Sequence, residues 1–428
     1  MTSMKIAIIG AGITGLTAAY NLTKEGHEVT VYERGSVPGG LGTYIEIGGN
    51  HLESFYHHFF KSDKYLRGLI DELGLTPELT YHTVKTGVFR GGTVHPFSSA
   101  FDLLKYKPLP LVDRVRCGMM IALFKALPVE IAALDTITAQ RWIKTVGGQK
   151  VYDAIWGPLL EGKFADYAGE IPALWLWGRI FDRSLQLGYL NGSAKTLFDK
   201  LISAIENQGG KIVLNAEVTG VESKDDGVVV TVGGKAKKFD KGLLTTVSPI
   251  SSLLIKNSLD FKTKKQMDDN DHLGAVCVIL ELKQPVQSQY WLNICEKGAD
   301  VLVMVEHTNL IPASEYGGRH VVYLANYIHR TKKRFQMDEK AIISEYANFL
   351  KTINPKFDKS WIVKAHLARV PRTQTIFHTG ALKTRPPHRL PVKNLYMANI
   401  DQMYPHDRNL NLGVMLGTRV SGMIMEDL

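Results

Sequence analysis

The sequence predicts an α/β fold with a parallel sheet at its centre. Three observations predict it. A short apolar run, Lys5-Ile6-Ala7-Ile8-Ile9, leads straight into Gly10-Ala11-Gly12-Ile13-Thr14-Gly15. A second run, Glu28-Val29-Thr30-Val31-Tyr32, ends on Glu33, eighteen residues past Gly15. The composition, 45% hydrophobic and 22% charged, is that of an ordinary globular enzyme, and 428 residues allow about two or three domains.

The first run is too short for a helix and reads as a buried parallel strand. Ile13 to Glu25 is predicted as the helix that follows, its N-terminus at the glycines. Gly10 permits a tight turn, Gly12 lets backbone approach a pyrophosphate, and Gly15 lets helix and strand pack closely. The first-turn N–H groups, those of Ile13 and Thr14 among them, and the positive end of the helix dipole would face the phosphates. Glu33 is placed to accept hydrogen bonds from an adenosine ribose. Strand, glycines, helix and acid in this order read as a dinucleotide clamp, not a merely structural turn. The acid disfavours NADP, whose ribose phosphate it would repel, and leaves NAD and FAD open.

The next segment separates those two. Glu33-Arg34-Gly35-Ser36-Val37-Pro38-Gly39-Gly40-Leu41-Gly42-Thr43 resembles the arginine and double-glycine motif of the amine oxidase, protoporphyrinogen oxidase and phytoene desaturase superfamily of FAD proteins. There the paired glycines let a second loop close over the pyrophosphate and ribityl chain, which implies Arg34, Gly39, Gly40 and Leu41 as FAD contacts. Gly188 to Ser193, the amphipathic stretch Leu197 to Gln208 and Gly209 to Leu214 are similar to the family's helix and strand leading back into the FAD domain. Val218 stands where the family grips adenine, and Thr246 in the strand ending in a Thr/Ser-Pro turn. Near the C-terminus, Asn394 to Asn399 and Tyr404 to Gly413 match the last motif. Many relatives carry Gly-Asp where Ala398-Asn399 stand here, but an asparagine still donates and accepts hydrogen bonds to a ribityl chain. Asn411 to Met425 is predicted as a closing helix whose first residues, Asn411 and Leu412, face the flavin. The resemblance spans nearly the whole chain, strong at both ends and loose in the middle.

It implies a Rossmann-type, glutathione-reductase-like FAD-binding domain over residues 1–75, 186–250 and 386–428, interleaved with an α+β substrate domain over 76–185 and 251–385. The latter is expected to be helical in its first half and sheet-rich in its second. Its strand candidates are Ala275 to Leu282, Val301 to Glu306, His320 to Tyr327 and Trp361 to Ala368. Lys105 to Leu111 is predicted as a loop.

Cys117, Cys277 and Cys295 are odd in number and widely spaced, and read as reduced core residues of an intracellular protein. The chain enters its first strand almost at once, so no signal peptide is expected and the reading is cytoplasmic. A net charge of +9 suits a solvated basic exterior, an anionic substrate or a membrane surface. Nucleic acid is not an expected partner, because the clusters Lys262 to Lys265 and Arg330 to Arg334 lack interleaved aromatics. The most apolar stretch, Cys117 to Leu134, is broken by Lys125, Pro128 and Glu130 and falls short of the ~20 apolar residues a span needs. It reads as a packed helix, a tunnel wall or a surface helix in peripheral membrane contact.

Gly48 to Phe60 carries His51, His57 and His58 within eight residues. They suit proton transfer or a structural capping role. Metal is not expected, since His57 and His58 are adjacent and point apart. His51, nearest the glycine loop, ranks first as a catalytic residue. Arg408 is the second, with Arg369 and Arg372 as comparable cations for an anionic substrate group or the developing flavin charge. The aromatic run Trp156 to Arg179 would line the substrate side, with Lys163 and Arg179 as pointers if buried. The resemblance implies an oxidase or desaturase, similar to protoporphyrinogen oxidase, taking hydride from a sizeable, largely apolar small-molecule substrate and passing electrons to dioxygen or a quinone. The alternative is a flavoenzyme like UDP-galactopyranose mutase, acting on a nucleotide sugar without net redox.

Overall fold

The computed structural model describes residues 3–127, 131–184, 186–296 and 298–427. Its five-stranded parallel sheet runs Lys211–Val213, Glu28–Tyr32, Lys5–Ile9, Lys241–Leu244 and Leu395–Met397. Three stretches of sequence, far apart in the chain, therefore meet in one sheet. The two N-terminal strands have the predicted bounds, and the helix after the glycines runs Ile13–Lys24. Residues 6–9 are all buried, as a parallel strand covered on both faces requires.

The closing helix is Leu410–Glu426, one residue longer at each end than predicted. It packs on Ile13–Lys24, where a Cβ on Gly417 would stand 2.5 Å from the Thr14 carbonyl oxygen. Only a glycine permits that approach, so the two ends of the chain are locked together at this crossing. Ala194–Asn207 packs on the same N-terminal helix.

The second sheet has seven strands in the order Ile362–Thr375, His272–Leu282, His320–His329, Val303–Glu306, Trp291–Ile294, Thr86–Arg90 and Thr93–Pro96. It is antiparallel except between Trp291–Ile294 and Thr86–Arg90. The four expected strands are present, three of them longer than expected and Val303–Glu306 two residues shorter. The hairpin Thr86–Arg90 and Thr93–Pro96 was not anticipated in a stretch expected to be helical. Gly91 and Gly92, with φ of 60° and 68°, make its turn. His272–Leu282 is buried along its whole length, because the helix Glu339–Ile353 covers one face and residues such as Leu52, Phe55 and Tyr189 cover the other.

The expected helices of the first half are Ala100–Lys105, Leu111–Ala126, Ala139–Val146, Gly157–Phe164 and Ala173–Phe181. A π-helical turn, Tyr152–Trp156, precedes the fourth. The apolar stretch beginning at Cys117 lies in Leu111–Ala126, which turns Cys117, Met120 and Phe124 inward and leaves Leu111, Val112, Val115, Met119 and Leu123 exposed. Pro128 and Glu130 lie outside the described residues. Among the described residues no helix is long and apolar enough to cross a membrane. Cys117, Cys277 and Cys295 are buried and unbridged.

Candidate active site

The N-terminal strand ends at Gly10, whose φ of 110° and whose missing Cβ, which would stand 2.5 Å from Thr245 Oγ1, exclude any side chain. A Cβ on Gly15 would stand 2.1 Å from the Gly10 carbonyl oxygen. The helix then begins at Gly12 with no side-chain cap and no acid in its first turn. The N–H groups of Ile13, Thr14 and Gly15 are thereby left for an anion. Glu33 ties the two loops, its Oε2 accepting from the Ala11 N–H at 2.9 Å and its Oε1 from the Gly35 N–H at 2.8 Å. Each carboxylate oxygen keeps a lone pair for a ribose hydroxyl. The second loop lies directly on the first, with the Gly39 N–H donating to the Ala11 oxygen at 2.9 Å. Arg34 is exposed and Leu41 half-buried in that loop. Val218 is buried beside Ala216, whose N–H donates to the Glu33 carbonyl. An uncapped helix start, backbone glycines and a paired acid fit an extended dinucleotide diphosphate.

Three C-terminal residues expected at the cofactor make defined hydrogen bonds within the protein. Asn399 spends its side chain on the protein: Nδ2 donates to the Thr246 carbonyl at 2.7 Å, and Oδ1 accepts from the Asp401 N–H at 3.0 Å. Asn399 thereby clamps two turns together. A carboxamide can serve as donor and acceptor at once, which an ionised aspartate could not. Asn411 Oδ1 accepts from the N–H groups of Tyr65 and Leu66 and so caps the helix Lys64–Glu72. The Leu412 N–H donates to Asn409 Oδ1 at 2.8 Å. Thr246 pairs its hydroxyl with that of Ser251 at 2.8 Å.

At the start of the closing helix, marked by Asn409 and Leu410, lies a cavity of about 170 Å³. The segment after the Asn50–Glu53 strand lines it with Phe55, Tyr56, His57 and His58, and the sheet lines it with Trp291 and Tyr327. Helix Gly157–Phe164 brings Lys163, and Ala173–Phe181 brings Trp175 and Arg179. Asp407 and Arg408 arrive from the loop before the closing helix. One oxygen of Asp407 takes both Lys163 Nζ at 2.9 Å and Arg179 Nη1 at 2.6 Å. Arg408 donates through Nη2 to the Tyr327 hydroxyl at 3.2 Å. Asp407 Oδ1 and Arg408 Nε are buried without a partner among the described residues.

These charges reshape one another. Burial would raise the Asp407 carboxyl, but Lys163 and Arg179 hold it down at about 2. Burial lowers the Lys163 ammonium despite Asp407. Burial also works to raise the Tyr327 phenol, yet Lys163 and Arg408 outweigh it and hold Tyr327 below a tyrosine's ordinary value. Burial, with the Arg408 cation adding to it, pushes His57 down to about 4. Burial and Arg183 push His58 down to about 3. Both imidazoles are neutral at pH 7. His57 Nδ1 stands 2.6 Å from the Phe55 carbonyl oxygen, which makes Nδ1 the protonated nitrogen and leaves Nε2 the basic one.

His51, ranked first from the sequence, is not among the lining residues. It sits in a hairpin opposite Glu46, its ring edge-on to Tyr44 at 5.7 Å. The hairpin keeps His51 beside Tyr44, next to the glycine loop, and the chain reaches the cavity only after leaving that hairpin. Arg369 and Arg372 also lie outside it, on the Ile362–Thr375 strand, with Arg369 Nη2 bonded to the Met337 carbonyl. Tyr327, Asp182 and Arg183 were not singled out beforehand. Tyr327 was visible in the sequence only as the last residue of the strand candidate His320 to Tyr327.

A family model described as flavin containing amine oxidoreductase matches residues 13–406. The chain is 28% identical over 179 residues to a zeta-carotene desaturase of Solanum lycopersicum, covering 36% of this chain and 30% of that protein. It thus spans about a third of the length of the first curated relatives it matches. It is 22% identical over 463 residues to a 15-cis-phytoene desaturase of Glycine max, covering 99% of this chain and 80% of that one. Among solved structures, a putative protoporphyrinogen oxidase from Exiguobacterium sp. 255-15 superimposes with a TM-score of 0.78 at 15% identity, covering 100% of both chains. A reduced UDP-galactopyranose mutase does so with a TM-score of 0.79 at 15% identity, covering 100% of this chain and 96% of that one. Fold likeness alone therefore does not separate redox from non-redox chemistry. With the glycine cradle, the paired Glu33 and a family match across most of its length, the chain belongs to the flavin containing amine oxidoreductases, a family of FAD-dependent oxidoreductase enzymes.

Proposed function

We propose that the protein is an FAD-dependent oxidase or desaturase that takes hydride from a C–H bond of a sizeable, largely apolar substrate. The observation that carries this reading is one shared element. The closing helix packs along Ile13–Lys24 in the dinucleotide cradle and starts at the aromatic-walled cavity. In this reading residues 1–75, 186–250 and 386–428 form the FAD domain, and 76–185 and 251–385 the substrate domain. Gly10, Gly12, Ile13, Thr14 and Gly15 hold the pyrophosphate, and Glu33 and Arg34 the adenosine. Gly39, Gly40 and Leu41 cover the ribityl side, Val218 and Thr246 stand at the ADP half, and Leu412 lies towards the ring. Asn399 and Asn411 act by fixing the turns around it.

FAD, when bound, supplies the hydride-accepting ring, with dioxygen or a quinone as final acceptor. The chain's own residues do the rest. Trp156, Leu160, Trp175 and Leu176 keep water from the reacting carbon. His57 holds a lone pair at Nε2 for a proton, and Tyr327 moves one at Oη under the field of Lys163 and Arg408. A cavity of about 170 Å³ is smaller than the roughly 300–1,000 Å³ that encloses a whole drug-sized ligand. It takes the reacting end of the substrate, and the remainder runs out past Arg183, which is exposed. Lys125 ties the helix Leu111–Ala126 to the carbonyls of Phe181 and Arg183 at that edge. The exposed apolar face of this helix, with Val112 77% exposed, and Phe101 on the helix before it are then a contact for a membrane surface that carries the substrate.

The surplus of cations in the cavity also suits a diphosphate, which favours a mutase-like reaction on a UDP-sugar as second reading. One experiment decides. The FAD-loaded protein is reduced without air, then given air or UDP-galactose. Prompt reoxidation without sugar turnover supports the oxidase, slow reoxidation that a quinone accelerates supports the quinone-linked form, and sugar turnover in the reduced state alone overturns both.

A further inference from the structure

The charges around the cavity do not balance. Lys163, Arg179, Arg183 and Arg408 border it, while Asp407 and Asp182 are the only carboxylates among its described lining residues. Asp407 is shared by Lys163 and Arg179, and Asp182 Oδ2 is taken by His406 Nδ1 at 2.8 Å. Neither Arg183 nor Arg408 forms an ion pair among the described residues. Among the described residues the Arg408 side chain bonds only the Tyr327 hydroxyl, and its Nε is buried without a partner. A guanidinium kept from water without an anion is costly, and its planar fork of donors matches a carboxylate or phosphate. The same field repels a protonated amine and offers nothing to a pure hydrocarbon. The apolar wall of Trp156, Leu160 and Leu176 supplies the complementary surface for a carbon chain.

We propose that this cavity receives an anion, and that the substrate is an acidic amphiphile whose carboxylate or phosphate group is bound by Arg408 and Arg183. Lys163 and Arg179, held on Asp407, add to the positive field. This rests on the reading that the cavity is where the substrate is held. It separates this chain from members of its family that act on amines, although the family is named for them.

The test is equilibrium binding to the FAD-loaded protein at fixed ionic strength, read from the fluorescence of the cavity tryptophans. The probes are decanoate, decyl phosphate and decylamine. We expect one or both anions to bind at least tenfold more tightly than the amine, and the tighter of the two to identify the acidic group. Arg408→Gln and Arg183→Gln should each weaken that anion roughly tenfold or more, as the loss of a charge-assisted hydrogen bond predicts. Arg183 is exposed and makes no ion pair among the described residues, so its variant tests the site without endangering the fold. Amine binding as tight as that of both anions overturns the proposal. So does unchanged anion affinity in both variants at full flavin content. A protein that binds the anions but takes up no FAD overturns the oxidoreductase reading and leaves this site standing. One that dehydrogenates a neutral hydrocarbon and ignores both anions overturns this site alone.

Discussion

Replacing Asp407 by asparagine isolates the electrostatics that organise the cavity. The wild-type carboxylate lies 2.9 Å from Lys163 Nζ and 2.6 Å from Arg179 Nη1, with side chains 22%, 8% and 23% exposed in that order. Its folded value of about 2 lies below the ordinary 3.8, which at 1.36 kcal/mol per tenfold corresponds to about 2 kcal/mol of stability at neutral pH. A depressed carboxylate contributes fully above its unfolded value and loses that contribution as pH falls from about 4 to about 2. Removing one partner of a fully buried pair costs about 3–5 kcal/mol, because the remaining charge stays behind. Partial exposure of Asp407 and Arg179 brings the expected loss for Asp407→Asn down to the foot of that range or just below it, about 2–3 kcal/mol. Urea unfolding of the FAD-loaded protein at pH 7 measures it. Adding Lys163→Met to the variant removes one orphaned cation, so the double variant should be less destabilised than Asp407→Asn alone. A single variant within about 0.5 kcal/mol of wild type, with no relief in the double, would refute the reasoning.

Four further outcomes are expected. Gly15→Ala should yield protein without flavin absorbance, since its Cβ has no room beside the Gly10 carbonyl. Glu33→Gln should weaken FAD binding about tenfold in an equilibrium titration, through loss of charged hydrogen bonds. His57 and His58 are held below their unfolded value of 6.5, at about 4 and about 3. The unfolded chain therefore binds more protons as pH falls through 6.5, and stability drops with it. The urea midpoint should fall between pH 7 and pH 5 by less in a His57→Gln, His58→Gln variant than in wild type. Val112→Asp should reduce co-sedimentation with anionic vesicles while flavin content stays unchanged, and undiminished co-sedimentation would sink the proposed membrane contact.

The legible part of the fold was the part written in contiguous residues. The strand, the Gly10 turn and the helix after it are encoded within twenty residues by apolar run length and by a backbone conformation that only glycine adopts freely. The lysine-rich strand Lys235–Phe239 gave no hydrophobic alternation to read, because it lies on the edge of its small sheet with four of its five residues exposed. The hairpin at Gly91-Gly92 was missed for a related reason: its strands are short, and the second is barely buried.

By itself the sequence determined a dinucleotide clamp at the N-terminus, the residues that shape it, and a closing helix at the other end of the chain. Local steric rules decide those elements, whatever surrounds them. The cavity was decided only by tertiary structure. Its cations come from two helices, a segment after a helix and a loop, and nothing in the spacing of Lys163, Arg179 and Asp407 says that an ammonium and a guanidinium share one carboxylate oxygen. The same holds for the histidines: His51 and His57 are six residues apart, yet a hairpin keeps one out of the cavity and delivers the other to it. Charge balance at a site is a property of side chains gathered from distant segments, and only the folded chain sums it.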